Sequence, residues 1–154
     1  MVVALDKKVP DFTAESTGGS FSLAALDGRA LVLYFYPKDN TSGCTAEALD
    51  FAAAYAKFRQ AGAEVVGVSR DSLKSHENFK RKMALPFELI SDPDEKLCSL
   101  FGVIKMKNMY GKQVRCIERS TFLIDGAGRL RREWRGVKVP GHVDDVLAAV
   151  QALK

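Results

Sequence analysis

Residues 30–61 read ALVLYFYPKDNTSGCTAEALDFAAAYAKFRQA. The first seven, Ala30–Tyr36, are a continuous apolar run containing Val, Tyr and Phe, the pattern of a central strand buried on both faces. Pro37 has no backbone N–H to continue the ladder and ends it. A polar loop follows. Ala46–Ala61 then carries helix formers, with Leu49, Ala53, Ala56 and Gln60 along one line and Phe51, Tyr55 and Phe58 along a second. Gly62 is a good C-terminal stop.

Outward from this stretch, strand-like and helix-like segments alternate, which argues an α/β fold. On the N-terminal side, Phe12–Ala14 and Phe21–Leu23 flank the Gly18-Gly19 turn as a short hairpin. On the C-terminal side, Glu64–Ser69 reads as a strand and Ser72–Met83 as a helix capped by Asp71 or Ser72. Phe87–Ile90 is a short strand, and Asp92–Phe101 a short helix with Pro93 in its first turn. Gly102–Cys116 reads as less regular. Thr121–Ile124 and Leu130–Val139 are strands on either side of the turn Asp125–Gly128, and His142–Leu153 is an amphipathic helix. The connections are short, so residues 1–154 read as a single domain.

Composition narrows the class. Hydrophobic residues make up 47% of the 154, enough for a core without metal or disulfide staples. Lys and Arg number 23 against 19 Asp and Glu, a mild excess that does not call for a nucleic-acid partner. The run Arg129, Arg131, Arg132, Arg135 and Lys138 reads as a solvated strand face. The N-terminus lacks the apolar stretch of a signal peptide, and Ala30–Tyr36 is far too short to span a bilayer, so no membrane partner is expected. The three cysteines, Cys44, Cys98 and Cys116, are isolated, which excludes a disulfide-dense secreted scaffold and fits a reducing cytoplasm. His76 reads as a solvated helix residue and His142 as part of the first turn of the last helix. Neither stands at zinc-ligand spacing from a cysteine, so neither a metal nor a cofactor is expected.

The chemistry concentrates where the loop becomes the helix. Loops at the carboxyl ends of strands in open α/β sheets are where ligands bind. Cys44 stands at the start of the long helix, where free N–H groups and the positive end of the helix dipole favour a thiolate. Thr41, three residues before it, offers a hydroxyl that both donates and accepts. Glu47, three residues after it, can reach back to the helix start or bind a basic partner. The competing view is that Cys44 is a small buried apolar residue. The Pro, Thr and Gly around it favour reactivity.

With these residues in place, the chain resembles the peroxiredoxins. Their signature Pro-x-x-x-Thr-x-x-Cys stands here as Pro37, Thr41 and Cys44. The longer strings YFYPKDNTSGCTAEALDF at 34–51, SDPDEKLCSLFGV at 91–103, NMYGK at 108–112 and ERSTFLID at 118–125 resemble the bacterioferritin comigratory, or Q-type, branch. The resemblance implies a thioredoxin-like fold with an N-terminal β-hairpin extension, and thiol-dependent reduction of hydrogen peroxide and organic hydroperoxides. It implies Cys44 as peroxidatic nucleophile, Thr41 orienting the peroxide, Pro37 shielding the sulfur and Arg119 beside it, with Gly43 and Glu47 in support. It also implies an external thiol as reductant (thioredoxin, glutaredoxin or a small thiol) and a monomer. Without it, Arg119 reads as a strand residue paired with Glu118 or Glu133.

Three positions depart from that branch. Ser42 replaces a proline common before the Gly-Cys pair. Leu49 stands where many members carry a resolving cysteine, five residues after the peroxidatic one. Lys80 stands at the alternative resolving position in the next helix. Cys98, beside Leu97 and Leu100, reads as a buried structural thiol, and Cys116 as more exposed; either could resolve. The expectation is a one-cysteine cycle. Two other classes compete: a thiol–disulfide oxidoreductase, disfavoured because Cys-x-x-Cys is absent, and a thiol sensor without turnover.

Overall fold

A computed structural model describes residues 2–153. Its strands are β1 (Thr13–Ser16), β2 (Gly19–Ser22), β3 (Ala30–Phe35), β4 (Ala63–Ser69), β5 (Glu88–Ser91), β6 (Ile104–Met109), β7 (Lys112–Ile117), β8 (Ser120–Ile124) and β9 (Leu130–Arg135). Its helices are α1 (Ser42–Gln60), α2 (Leu73–Met83), α3 (Lys96–Phe101) and α4 (His142–Gln151). Seven strands form one sheet in the order β2-β1-β5-β4-β3-β8-β9; β6 and β7 form a separate pair. The pairs β3–β4 and β4–β5 are parallel, and the remaining pairs antiparallel.

Every residue of β3 is buried, as its unbroken apolar run requires. Alternation sends Val32 and Tyr34 to one face of the sheet and Leu31, Leu33 and Phe35 to the other. The first face packs against α1, through Cys44, Ala48, Phe51 and Phe58, and against Phe79 of α2 and Val146 and Val150 of α4. The second packs against Leu97, Cys98 and Phe101 of α3. The sheet therefore separates Cys44 from Cys98. None of the described helices is long and apolar enough to cross a membrane.

Several expectations need correction. Helix α3 spans only Lys96–Phe101, with Glu95 at its N-cap, so Pro93 lies before the helix and not in its first turn. Helix α1 begins at Ser42, four residues before Ala46, so Cys44 lies inside its first turn. Its buried line is that of Phe51 and Phe58; Leu49, Ala53, Ala56 and Gln60 face solvent, because the aromatic line carries more apolar area to bury. The segment 102–116 is no irregular loop: β6 and β7 form a hairpin in full register, turning at Tyr110 (φ 53°) and Gly111 (φ 79°). Most of its side chains are exposed, so no apolar alternation marks it. The last strand stops at Arg135 rather than Val139, because Gly136 takes φ 60°.

Candidate active site

β3 ends at Phe35, and Tyr36 still pairs with β4 through its N–H to the Val68 carbonyl (3.0 Å). Pro37, half-buried, leads into a loop running to Thr41, the N-cap of α1. Asn40 takes φ 66° there, a left-handed conformation that asparagine tolerates. The Thr41 carbonyl accepts from the Thr45 N–H (2.9 Å), while its hydroxyl donates to the Lys38 carbonyl (2.9 Å) instead of capping the helix. The exposed Thr41 oxygen keeps lone pairs for a further donor.

Cys44 is 1% exposed. Arg119, between β7 and β8, donates from Nη2 to its sulfur at 3.3 Å and from Nη1 to Glu47 Oε1 at 2.7 Å. One guanidinium thus spans a thiol and a carboxylate one helical turn apart. Glu118 and Glu133, the alternative partners, bind elsewhere: Glu118 near Lys105 (3.9 Å) and Glu133 to Arg135 (2.9 Å). Glu47 is fully buried and its Oε2 has no hydrogen-bond partner. Burial pushes its carboxyl up to about 7 in spite of Arg119. Gly43 keeps the guanidinium close, since a Cβ there would sit 3.1 Å from Nη2.

Of the other two thiols, Cys98 packs on the opposite face of the sheet from this cluster. Cys98 is fully buried, and burial followed by Asp92 pushes its thiol well above the ordinary range. Cys116 is half-buried on β7, not in an irregular segment. Leu49 is exposed on α1, and Lys80 of α2 pairs with Glu88 of β5.

His76 is not solvated: it is fully buried, on the same side of α2 as Phe79. Its Nδ1 meets Asp39 Oδ2 at 2.7 Å and its Nε2 the Ile90 carbonyl at 2.9 Å. Sequence reasoning missed this pair and the burial of Asp39; the helical spacing of His76 and Phe79 was the available signal. Asp39, Asp71 and His76 bring ligand atoms within 4.8 Å of one another, a conceivable cation cage. Both His76 nitrogens are already engaged by protein acceptors, so the set does not present itself as a metal site. His142 is the first residue of α4 and is buried; its Nε2 lies 2.8 Å from the Thr121 hydroxyl, and burial pushes its pKa down to about 4.

Residues 5–133 match the AhpC/TSA family. Peroxiredoxin Bcp of Xanthomonas campestris is 58% identical over 137 residues, 89% of this chain and 86% of that protein. The chain belongs to the peroxiredoxin family. Peroxiredoxin Bcp of Bacillus subtilis is 46% identical over all of this chain and 97% of its own length. Among solved structures, the bacterioferritin comigratory protein of Xanthomonas campestris, described for its alkyl peroxide reduction, superposes with TM-score 0.87 at 55% identity, covering 92% of this chain and 90% of that one. A Xylella fastidiosa peroxiredoxin Q mutant superposes with TM-score 0.92 at 43% identity over 99% and 98%. This peroxiredoxin is thus of the bacterioferritin comigratory branch, a thiol-dependent peroxidase on a thioredoxin-like fold.

Proposed function

We propose that this chain, acting as a single-domain cytoplasmic monomer, reduces hydrogen peroxide and organic hydroperoxides by a one-cysteine cycle centred on Cys44. The observation that carries the reading is Arg119 Nη2 at 3.3 Å from the Cys44 sulfur. The Cys44 thiolate attacks one peroxide oxygen; an S–O bond forms as the O–O bond breaks. The leaving oxygen departs with the bonding pair and is protonated to water or an alcohol, and Cys44 becomes a sulfenic acid. Arg119 stabilises the charge that grows on the oxygens, Thr41 orients the peroxide, and Pro37 shields the sulfur. Glu47 holds the guanidinium in place, and Gly43 leaves it room.

An external thiol then displaces water from the sulfenic sulfur to give a mixed disulfide, and a second thiol releases Cys44. Thioredoxin, glutaredoxin or a small thiol would serve. The placement of Cys98 across the sheet supports an external rather than internal thiol. The test is mass spectrometry after one equivalent of peroxide. Cys44 sulfenic acid trapped by dimedone is expected; a Cys44–Cys98 or Cys44–Cys116 disulfide in high yield would overturn the one-cysteine cycle.

A further inference from the structure

Of the loop residues 37–41, Asp39 alone is buried. Everything that meets its carboxylate comes from outside the loop. Tyr36 Oη donates to Oδ1 (2.6 Å), while Ser75 Oγ (2.8 Å) and His76 Nδ1 (2.7 Å) meet Oδ2. Its N–H donates to Asp71 Oδ2 (2.9 Å), which also accepts from Ser69 Oγ (2.6 Å). Burial works to raise the Asp39 carboxyl, but the hydrogen bonds from His76, Tyr36 and Ser75 prevail and hold it below the usual carboxylate range. It therefore faces His76 as an acceptor.

His76 is anchored in turn by the Ile90 carbonyl of β5 (2.9 Å), which can only accept. The ring thus bridges two acceptors, one on the active-site loop and one on the sheet, with one nitrogen turned to each. The pair is 0% and 1% exposed. A buried polar pair of this kind seldom adds stability over apolar residues of the same size, and its better-attested use is to enforce one arrangement. The arrangement in question is the loop: Asp39 is fixed, Asn40 turns the chain at φ 66°, and Thr41 stands at the N-cap position of the helix that carries Cys44.

We propose that His76 is a positioning residue for the peroxidase reaction, holding the Pro37–Thr41 loop through Asp39 so that Thr41 and Cys44 keep their reactive arrangement. This rests on the reading of Cys44 as the nucleophile. The two ring nitrogens permit a discriminating test. Asparagine can place its amide nitrogen near the position of Nδ1, keeping a donor for Asp39; glutamine can place its own near Nε2, keeping a donor for Ile90. The second-order rate of Cys44 oxidation by hydrogen peroxide is measured by stopped flow, per folded molecule as judged by circular dichroism. His76→Asn is expected to stay within about threefold of the parent, and His76→Gln to fall at least tenfold below it. If His76→Asn is no faster than His76→Gln, the proposal is overturned, since the sheet anchor or bulk alone would then account for the residue. Should both variants fail to fold, Ser75→Ala, which deletes one donor to Asp39, decides: a severalfold slower rate is expected, and an unchanged one overturns the proposal. Cys44→Ser is run alongside. If it still consumes peroxide, the nucleophile reading fails, whatever His76 does.

Discussion

Arg119 joins Cys44 to Glu47: its two terminal nitrogens lie 3.3 Å from the thiol sulfur and 2.7 Å from the carboxylate oxygen. The carboxylate fixes the fork from one side, leaving the second nitrogen aimed at the sulfur. The site's charge balance is set by this bridge.

Gly43 touches the bridge without hydrogen-bonding to it. In Gly43→Ala the new methyl would meet Nη2 at 3.1 Å, so the guanidinium must yield by a few tenths of an ångström. Alanine is also the better helix former by about 1 kcal/mol. The expected outcome is a severalfold slower oxidation of Cys44 with no loss of thermal stability. Paired stopped-flow and melting measurements check both halves.

Glu47 makes stability fall as pH rises. Its carboxyl titrates at about 7 in the folded chain against 4.5 in its absence, so between these values the native state holds the extra proton. Its contribution is fully present below 4.5 and is lost as pH passes through 7, by about 3 kcal/mol in all. Glu47→Gln does not titrate. Urea unfolding at pH 5 and pH 8 should show the variant gaining on the parent at the higher pH.

His142 has the opposite sign. Its imidazole titrates at about 4 in the folded chain against 6.5 in its absence, so between these values the unfolded state binds the extra proton. Its contribution is present above 6.5 and is lost, again by about 3 kcal/mol, as pH falls toward 4. In His142→Phe this acid-side loss disappears, and the Thr121 hydroxyl is left without its partner at every pH, costing about 1 kcal/mol. Unfolding curves at pH 4.5 and pH 7 separate the two effects.

What could be read in advance follows physical lines. Ala30–Tyr36 announced a central strand because burial on both faces leaves an unbroken apolar run. Cys44, Thr41 and Pro37 were legible because they are close in sequence and share one loop and helix start. Arg119 was not readable from its surroundings, since the residues it bridges lie more than seventy positions away; only the family likeness placed it beside the sulfur. The spacing of His76 and Phe79 hinted at a shared buried face, but its partners were out of reach for the same reason: Asp39 and the Ile90 carbonyl both come from other elements. The β6–β7 hairpin left no trace because most of its side chains meet solvent and carry no period-two pattern.

The most direct test of Cys44 and Arg119 as the reacting pair is the second-order rate constant for oxidation of Cys44 by hydrogen peroxide. It can be followed by stopped-flow fluorescence of Trp134, the chain's one tryptophan, with the product identified by mass spectrometry. The account predicts a rate far above that of a free thiolate, abolished in Cys44→Ser and lowered at least a hundredfold in Arg119→Met. A parent rate no faster than a free thiolate, or an Arg119→Met rate equal to the parent, would contradict it.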